Sequence, residues 1–177
     1  MTITEAISFL DQQIVDPAAG LPEEIFLFAS RITPMLNVDL LVRDSNGRTL
    51  LAWRNDAFSG QGWHIPGGII RFKEQLETRI QKVARQEIGT EVTFTPQPIA
   101  MHQLMHPTRH TRGHFLSLLF LCSVPADFIP SNRQRTAEES GYLQWHDICP
   151  ANLIHVHEVY RPYICTNPAF EALLKRT

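Results

Sequence analysis

The chain has 177 residues, 44% hydrophobic and 19% charged, with a formal net charge of -2, which predicts one soluble domain over 1–177 and excludes a general polyanion-binding surface. Nucleic acid is therefore not an expected partner, and any contact with phosphate must be local. Scattered Cys122, Cys149 and Cys165 argue against a disulfide framework or a zinc knuckle, and the absence of a signal-peptide pattern or a membrane-length apolar run predicts a cytoplasmic protein without a membrane partner.

Residues 1–33 read as two helices. Thr4 is a candidate cap for a segment carrying Ala6, Ile7, Phe9, Leu10 and Ile14, which breaks at 17–20. Pro22 then sits near the start of a second segment through Ile25, Phe26, Phe28 and Ala29. Such a pair can act as a lid, as a dimer arm, or as cover for an open sheet face. Residues 36–43 and 48–54 read as strands, with Asp44-Ser45-Asn46-Gly47 as hairpin punctuation between them. A polar loop is expected over 55–61.

The stretch GWHIPGGIIRFKEQLETRIQKVARQEIGT, 62–90, has the form of a strand, a glycine turn and a helix. Leu76, Ile80, Val83, Ala84 and Ile88 recur at helical spacing, and Gly89 stands where a helix stops. Beyond it, 92–106 looks extended, the very apolar 114–124 reads as a central strand, 125–139 is a polar loop and 141–145 a last short strand. Two helical pieces are expected from 150 onward, the second over 169–175. The sum is an α/β fold, a mixed sheet flanked by helices.

The 62–90 stretch resembles the Nudix box, G-x5-E-x7-R-E-U-x-E-E-x-G-U with U aliphatic. Gly68, Glu74, Glu87 and Gly89 match in identity and register, while Lys82, Val83 and Gln86 replace the arginine and two of the glutamates. The resemblance implies an α/β/α sandwich and Mg²⁺-dependent hydrolysis of a nucleoside diphosphate linked to another moiety, with Mn²⁺ as an alternative ion. It also implies a structural role for Glu74, holding the loop to the helix. With two carboxylates gone, one metal held by Glu87 and the Gly67 carbonyl is expected, not several.

The same pattern of loss is similar to the GDP-mannose mannosyl hydrolase branch of that family. Along 22–165, Asp39 matches the branch's substrate-site aspartate, Arg54 its diphosphate-binding arginine, and Glu139 a third metal ligand, with Glu138 an adjacent competitor. The branch implies a nucleotide-sugar substrate attacked at the anomeric carbon, and a homodimer. Ile69 and Ser140 depart from it, at an arginine and at the histidine that serves as general base.

A replacement base is sought among His102, His106, His110 and His114, which recur every four residues. Pro107 and Gly113 oppose a helix. A hairpin turning at Thr108 would set His106 opposite His110 and His102 opposite His114, with His106 and His110 the candidate bases. Arg109 and Arg112 in the same loop serve either phosphate binding or solubility. His155, His157, Tyr160 and Arg161 are either a cover over a sugar or a polar rim. Trp63 and Phe72 are candidates to stack on a base, though Trp63 reads better as core, and alternation leaves the direction of His64 open. Alongside mannosyl-type hydrolysis stand an ordinary Nudix pyrophosphatase attacking phosphorus and a nucleotide-binding module with a degenerate box.

Overall fold

The computed structural model describes residues 1–133 and 135–164; Cys165 and the helical piece expected over 169–175 lie outside the described residues. Helix α1 (Ile3–Gln13) is capped by Thr2, with Thr4 inside its first turn. Thr2 Oγ1 accepts from Glu5 N at 3.2 Å while the Glu5 carboxylate accepts from Thr2 N at 2.6 Å, a reciprocal capping box. Helix α2 (Glu23–Ile32) starts after Pro22 and carries Glu23 and Glu24 in its first turn, where the helix dipole favours negative charge.

Among the described residues eight strands follow: β1 (Met35–Val42), β2 (Thr49–Asp56), β3 (Gly60–His64), β4 (Gly67–Ile69), β5 (Thr93–Phe94), β6 (Ala100–Met105), β7 (His114–Ser123) and β8 (Leu143–His146). One sheet runs β4-β1-β7-β5 with β6 also paired to β7, and the other runs β3-β2-β8. The β1–β7 pair is parallel and the remaining pairs of these strands are antiparallel, so the first sheet is mixed, with the apolar β7 inside it.

Alternation along β1 sorts two cores. Val38, Leu40 and Val42 pack with Ile80, Val83, Ala84, Ile88 and Phe120 beneath helix α3 (Leu76–Val83) and the π turn Ala84–Ile88 that continues it. Leu41 faces the other way and joins Leu51, Trp63, Leu119, Tyr160 and Ile164 beneath the 3₁₀ turn His155–Tyr160 and the short helix α4 (Arg161–Ile164). The result is helix, sheet and helix in layers, with Trp63 in the core. Of the helical stripe Leu76, Ile80, Val83, Ala84 and Ile88, Leu76 alone is exposed, at 39%.

Three local expectations are corrected. The turn at 44–47 forms, with Asp44 Oδ1 accepting from Asn46 N and Arg48 N, but it sends β1 and β2 into different sheets, joined by a single Arg43–Thr49 bridge. Buried on both faces from Val38 to Val42, β1 takes its neighbours from the apolar interior, as β7 and β4. The loop expected at 55–61 shrinks to a tip at 57–59, because β2 and β3 stay paired out to Asp56 and Gly60. The hairpin of β6 and β7 sets Met105 opposite His114 and His102 opposite Ser117, so the chain reverses between Arg109 and His110 and not at Thr108. His106 N donates to the Gly113 carbonyl at 2.7 Å, and Arg112 takes a positive φ of 51°, which makes this a wide loop and not a tight turn. Among the described residues no helix is long and apolar enough to cross a membrane.

Candidate active site

The turn between β3 and α3 is built on two close approaches. A Cβ at Gly67 would collide with the Asp39 carboxylate across the β1–β4 pair, and one at Gly68 would lie 2.7 Å from Val83 Cγ2. The box valine is thus a core residue against which the glycine turn rests. Glu74 ties this turn to α3: it accepts from Arg71 N at 3.0 Å and pairs with Arg79 at 2.7 Å and Lys82 at 2.9 Å. Burial opposes its charge, but these donors hold its carboxyl down at about 2. Lys82 therefore replaces the box arginine in an ion pair.

The π turn at Ala84–Ile88 carries Gln86 and Glu87 to the rim of a cleft of about 300 Å³. It closes with Gly89 N donating to the Ala84 carbonyl at 2.9 Å, and such π turns, rare overall, are frequent at functional sites. The Glu87 side chain is 30% exposed. Facing it is His64, with its side chain 5% exposed and Nε2 3.6 Å from Glu87 Oε2. Neither ring nitrogen of His64 has a hydrogen-bond partner among the described residues.

Asp39 forms the floor. It is 1% exposed and accepts from Asn37 Nδ2 at 2.9 Å, from Ser117 Oγ on β7, and from the Tyr160 hydroxyl at 2.5 Å. Burial pushes its carboxyl up to about 6, against the pull of these donors. His157 is buried on the 3₁₀ turn, where its Nδ1 accepts from Ile65 N at 3.1 Å; burial holds it well below the usual histidine range.

The opposite wall is cationic. Arg54 leaves β2 with Asp56 3.5 Å away, and Arg109 and Arg112 reach in from the loop 106–113. The Arg112 guanidinium lies 4.7 Å from the Phe58 ring and 5.8 Å from the Phe26 ring, and its backbone N–H donates to Ser30 Oγ on α2 at 3.0 Å. Partial burial and then the nearby charges of Arg54 and Arg109 lower its pKa. Arg71 lines the cleft as well, with a buried Nε that has no hydrogen-bond partner among the described residues. Such a wall favours an anionic ligand, and guanidinium forks suit phosphate oxygens.

Asp39, Arg54, Gly67, Glu87 and His106 are thus brought to one cleft. His106 is half-buried there, and partial burial with the charges of Arg109 and His155 lowers its pKa. The other loop histidines lie elsewhere. His110 is exposed outside the cleft, His102 Nε2 meets the Tyr163 hydroxyl at 3.1 Å, and His114 meets the Gln103 amide at 2.9 Å. Glu139 and Glu138 are exposed and do not line the cleft; the Glu139 carboxylate accepts from Thr136 N at 2.5 Å. Ser140 Oγ is spent on the backbone of Asn55, at 2.8 and 3.1 Å. Phe72 is exposed away from the cleft and Arg161 is paired with Glu158. Sequence reasoning missed Phe58 and Arg71, the latter legible only as a basic residue three positions after the double glycine.

Among the described residues no three His, Cys, Asp or Glu side chains converge as a metal cluster. The free Glu87 carboxylate beside an orphaned buried imidazole does fit a single divalent cation, with Gly67 on the same cleft.

Comparison with known proteins agrees with this layout. The NUDIX domain family model matches residues 33–164. A curated relative is the low-salt glycan biosynthesis protein Agl8 of Haloferax volcanii, 24% identical over 124 residues, or 68% of this chain and 78% of that protein. Among solved structures, a MutT NUDIX hydrolase from Burkholderia pseudomallei superposes with a TM-score of 0.57 at 17% identity, covering 73% of this chain and 97% of that one. A possible asymmetric diadenosine tetraphosphate hydrolase from Jonesia denitrificans gives a TM-score of 0.50 at 19% identity, covering 64% and 77%. With its fold, its glycine turn and its box helix all in place, the chain belongs to the Nudix hydrolase family.

Proposed function

We propose that this protein hydrolyses a nucleoside diphosphate linked to a sugar, by attack of water on the anomeric carbon. The observation that carries the reading is the carboxylate census at the cleft. Val83 is core, Gln86 is neutral, and Glu87 remains as the free acidic group of the box. Attack on phosphorus draws on several cations to activate water and neutralise phosphoryl oxygens together. Departure of a nucleoside diphosphate, already a weak base, asks for less. A divalent cation, Mg²⁺ or Mn²⁺, held by Glu87 and the Gly67 carbonyl supplies charge neutralisation for that leaving group. Glu139 is left out of the ligand set, since its carboxylate is engaged with Thr136 outside the cleft.

The remaining roles fall to side chains of the same cleft. Arg54, Arg109 and Arg112 donate to diphosphate oxygens. Asp39, fixed by Ser117 and Tyr160, orients the substrate. His106 accepts a proton from the attacking water, a role that Ser140 cannot take from its place against Asn55. The glycan-biosynthesis name of the Haloferax relative supports a sugar substrate. We further propose a homodimer joined through α1 and α2, acting in the cytoplasm as one domain over 1–177.

The deciding experiment is turnover of a nucleotide-sugar panel in ¹⁸O-labelled water with Mg²⁺, followed by mass spectrometry of both products. Label in the free sugar and none in the nucleoside diphosphate is the expected result. Label in a nucleotide phosphate with a sugar phosphate product promotes pyrophosphatase chemistry, the reading favoured by the cationic wall and by the name of the Jonesia structure. Absence of turnover across the panel promotes the nucleotide-binding module.

A further inference from the structure

The box has given up two carboxylates, yet a cation held by one carboxylate and one carbonyl would be weakly bound. A third donor stands next to Glu87. His64 lies on β3, opposite Ala52 of β2, and its side chain is turned into the cleft with 5% of it exposed. Both ring nitrogens are without a hydrogen-bond partner among the described residues, an expensive state for a buried polar ring. Its Nε2 is 3.6 Å from Glu87 Oε2. Two donors on one cation, with bonds of about 2.0–2.2 Å, stand about 3–3.5 Å apart, so this pair needs almost no movement to share one ion.

We infer that His64 is a nitrogen ligand, through Nε2, of the same divalent cation that Glu87 binds. The inference rests on the reading of Glu87 as the metal carboxylate and names the group that replaces the lost box acids. The backbone around His64 is held for the task. Trp63 N donates to the Asn152 carbonyl at 2.9 Å, Ile154 N donates to the Trp63 carbonyl at 2.9 Å, and Ile65 N donates to His157 Nδ1 at 3.1 Å. His157, its ring 5.9 Å from that of His64, has its Nδ1 committed to this backbone and acts as a positioning residue for the strand. Imidazole is a better ligand for later first-row ions than for magnesium, which prefers hard oxygens. Mn²⁺ and Co²⁺ should therefore bind more tightly than Mg²⁺.

The test is pulsed electron paramagnetic resonance of the full chain loaded with Mn²⁺, reading ¹⁴N modulation of the metal signal. The wild-type protein should show it. His64→Gln should lose it and bind Mn²⁺ about tenfold more weakly, with an unchanged thermal transition. Glu87→Gln should lose most Mn²⁺ affinity. If wild-type protein binds Mn²⁺ in a Glu87-dependent way without ¹⁴N modulation, His64 is not a ligand and the Glu87 reading stands. Equal Mn²⁺ affinity in Glu87→Gln and wild type removes the Glu87 reading itself. Modulation that persists in His64→Gln assigns the nitrogen to another histidine and overturns the inference. Should that variant fail to fold, His64→Asn takes its place, and the wild-type spectrum alone still decides against His64 if it lacks nitrogen.

Discussion

Val83 and Gln86 occupy the two altered acidic positions of the box, and they answer differently to restoration. Val83 is 2% exposed, packed against the glycine turn; Gln86 is exposed on the rim. Val83→Glu should cost about 3 kcal/mol or more, because it buries an unpaired charge. Gln86→Glu should cost under about 0.5 kcal/mol and tighten Mn²⁺ binding. Urea unfolding paired with Mn²⁺ titration of each variant checks both outcomes. Asp39 carries a pH signature. With its carboxyl pushed up to about 6 from an ordinary 3.8, the folded protein keeps a proton that the unfolded chain has lost between those values. Stability contributed at this site therefore falls as pH rises from about 4 to 6, by about 3 kcal/mol in all, and stays at the lower level above. Asp39→Asn should remove that fall, measured by denaturant unfolding at pH 4, 5, 6 and 7 in the presence of a chelator. Asp39, Arg54 and Glu87 could be named from sequence through the resemblance to the Nudix box and its mannosyl hydrolase branch, and the structure brings all three to one cleft. The direction of His64 was not legible, because β3 is buried on both faces from Gly62 to His64 and alternation loses its meaning there.

Helix α2 bears on the cleft through Arg112, which its Phe26 and Ser30 both touch. Phe26 and Phe58 flank the Arg112 guanidinium, and Ser30 accepts from the Arg112 backbone. Arg112→Ala should weaken binding of GDP by about tenfold or more, the loss of hydrogen bonds to a charged group. Phe26→Ala should weaken it in the same direction by less, since the guanidinium is kept and its orientation freed; calorimetric titration with GDP separates the two. The helices, β7 and the layered sheet were readable from periodicity and apolar content. The π turn was not, since Val83, Ala84 and Ile88 fit an ordinary helical stripe equally well. The reversal of the 106–113 loop escaped too, because histidine spacing carries no register, whereas the His106–Gly113 backbone bond and the positive φ of Arg112 do.

At the scale of the whole molecule, α1 has no buried residue, and Ile7, Phe9, Phe28 and Ile32 on the two N-terminal helices are between 44% and 67% exposed. That much apolar surface favours a second copy as its cover. Light scattering at tens of micromolar should give twice the chain mass, and Phe9→Ser with Phe28→Ser should return it to the mass of one chain. The floor of the cleft spans the molecule in another sense: the Tyr160 hydroxyl that donates to Asp39 lies 121 residues further along the chain. At translation rates of about 5–20 residues per second, the ribosome delivers Tyr160 roughly 6–24 s after Asp39. Throughout that interval the nascent β1 carries an acid that lacks one of its two partner hydroxyls, even after Ser117 has emerged. The cleft can therefore close only when late residues emerge, and the glycine turn, though it comes early, must wait for them.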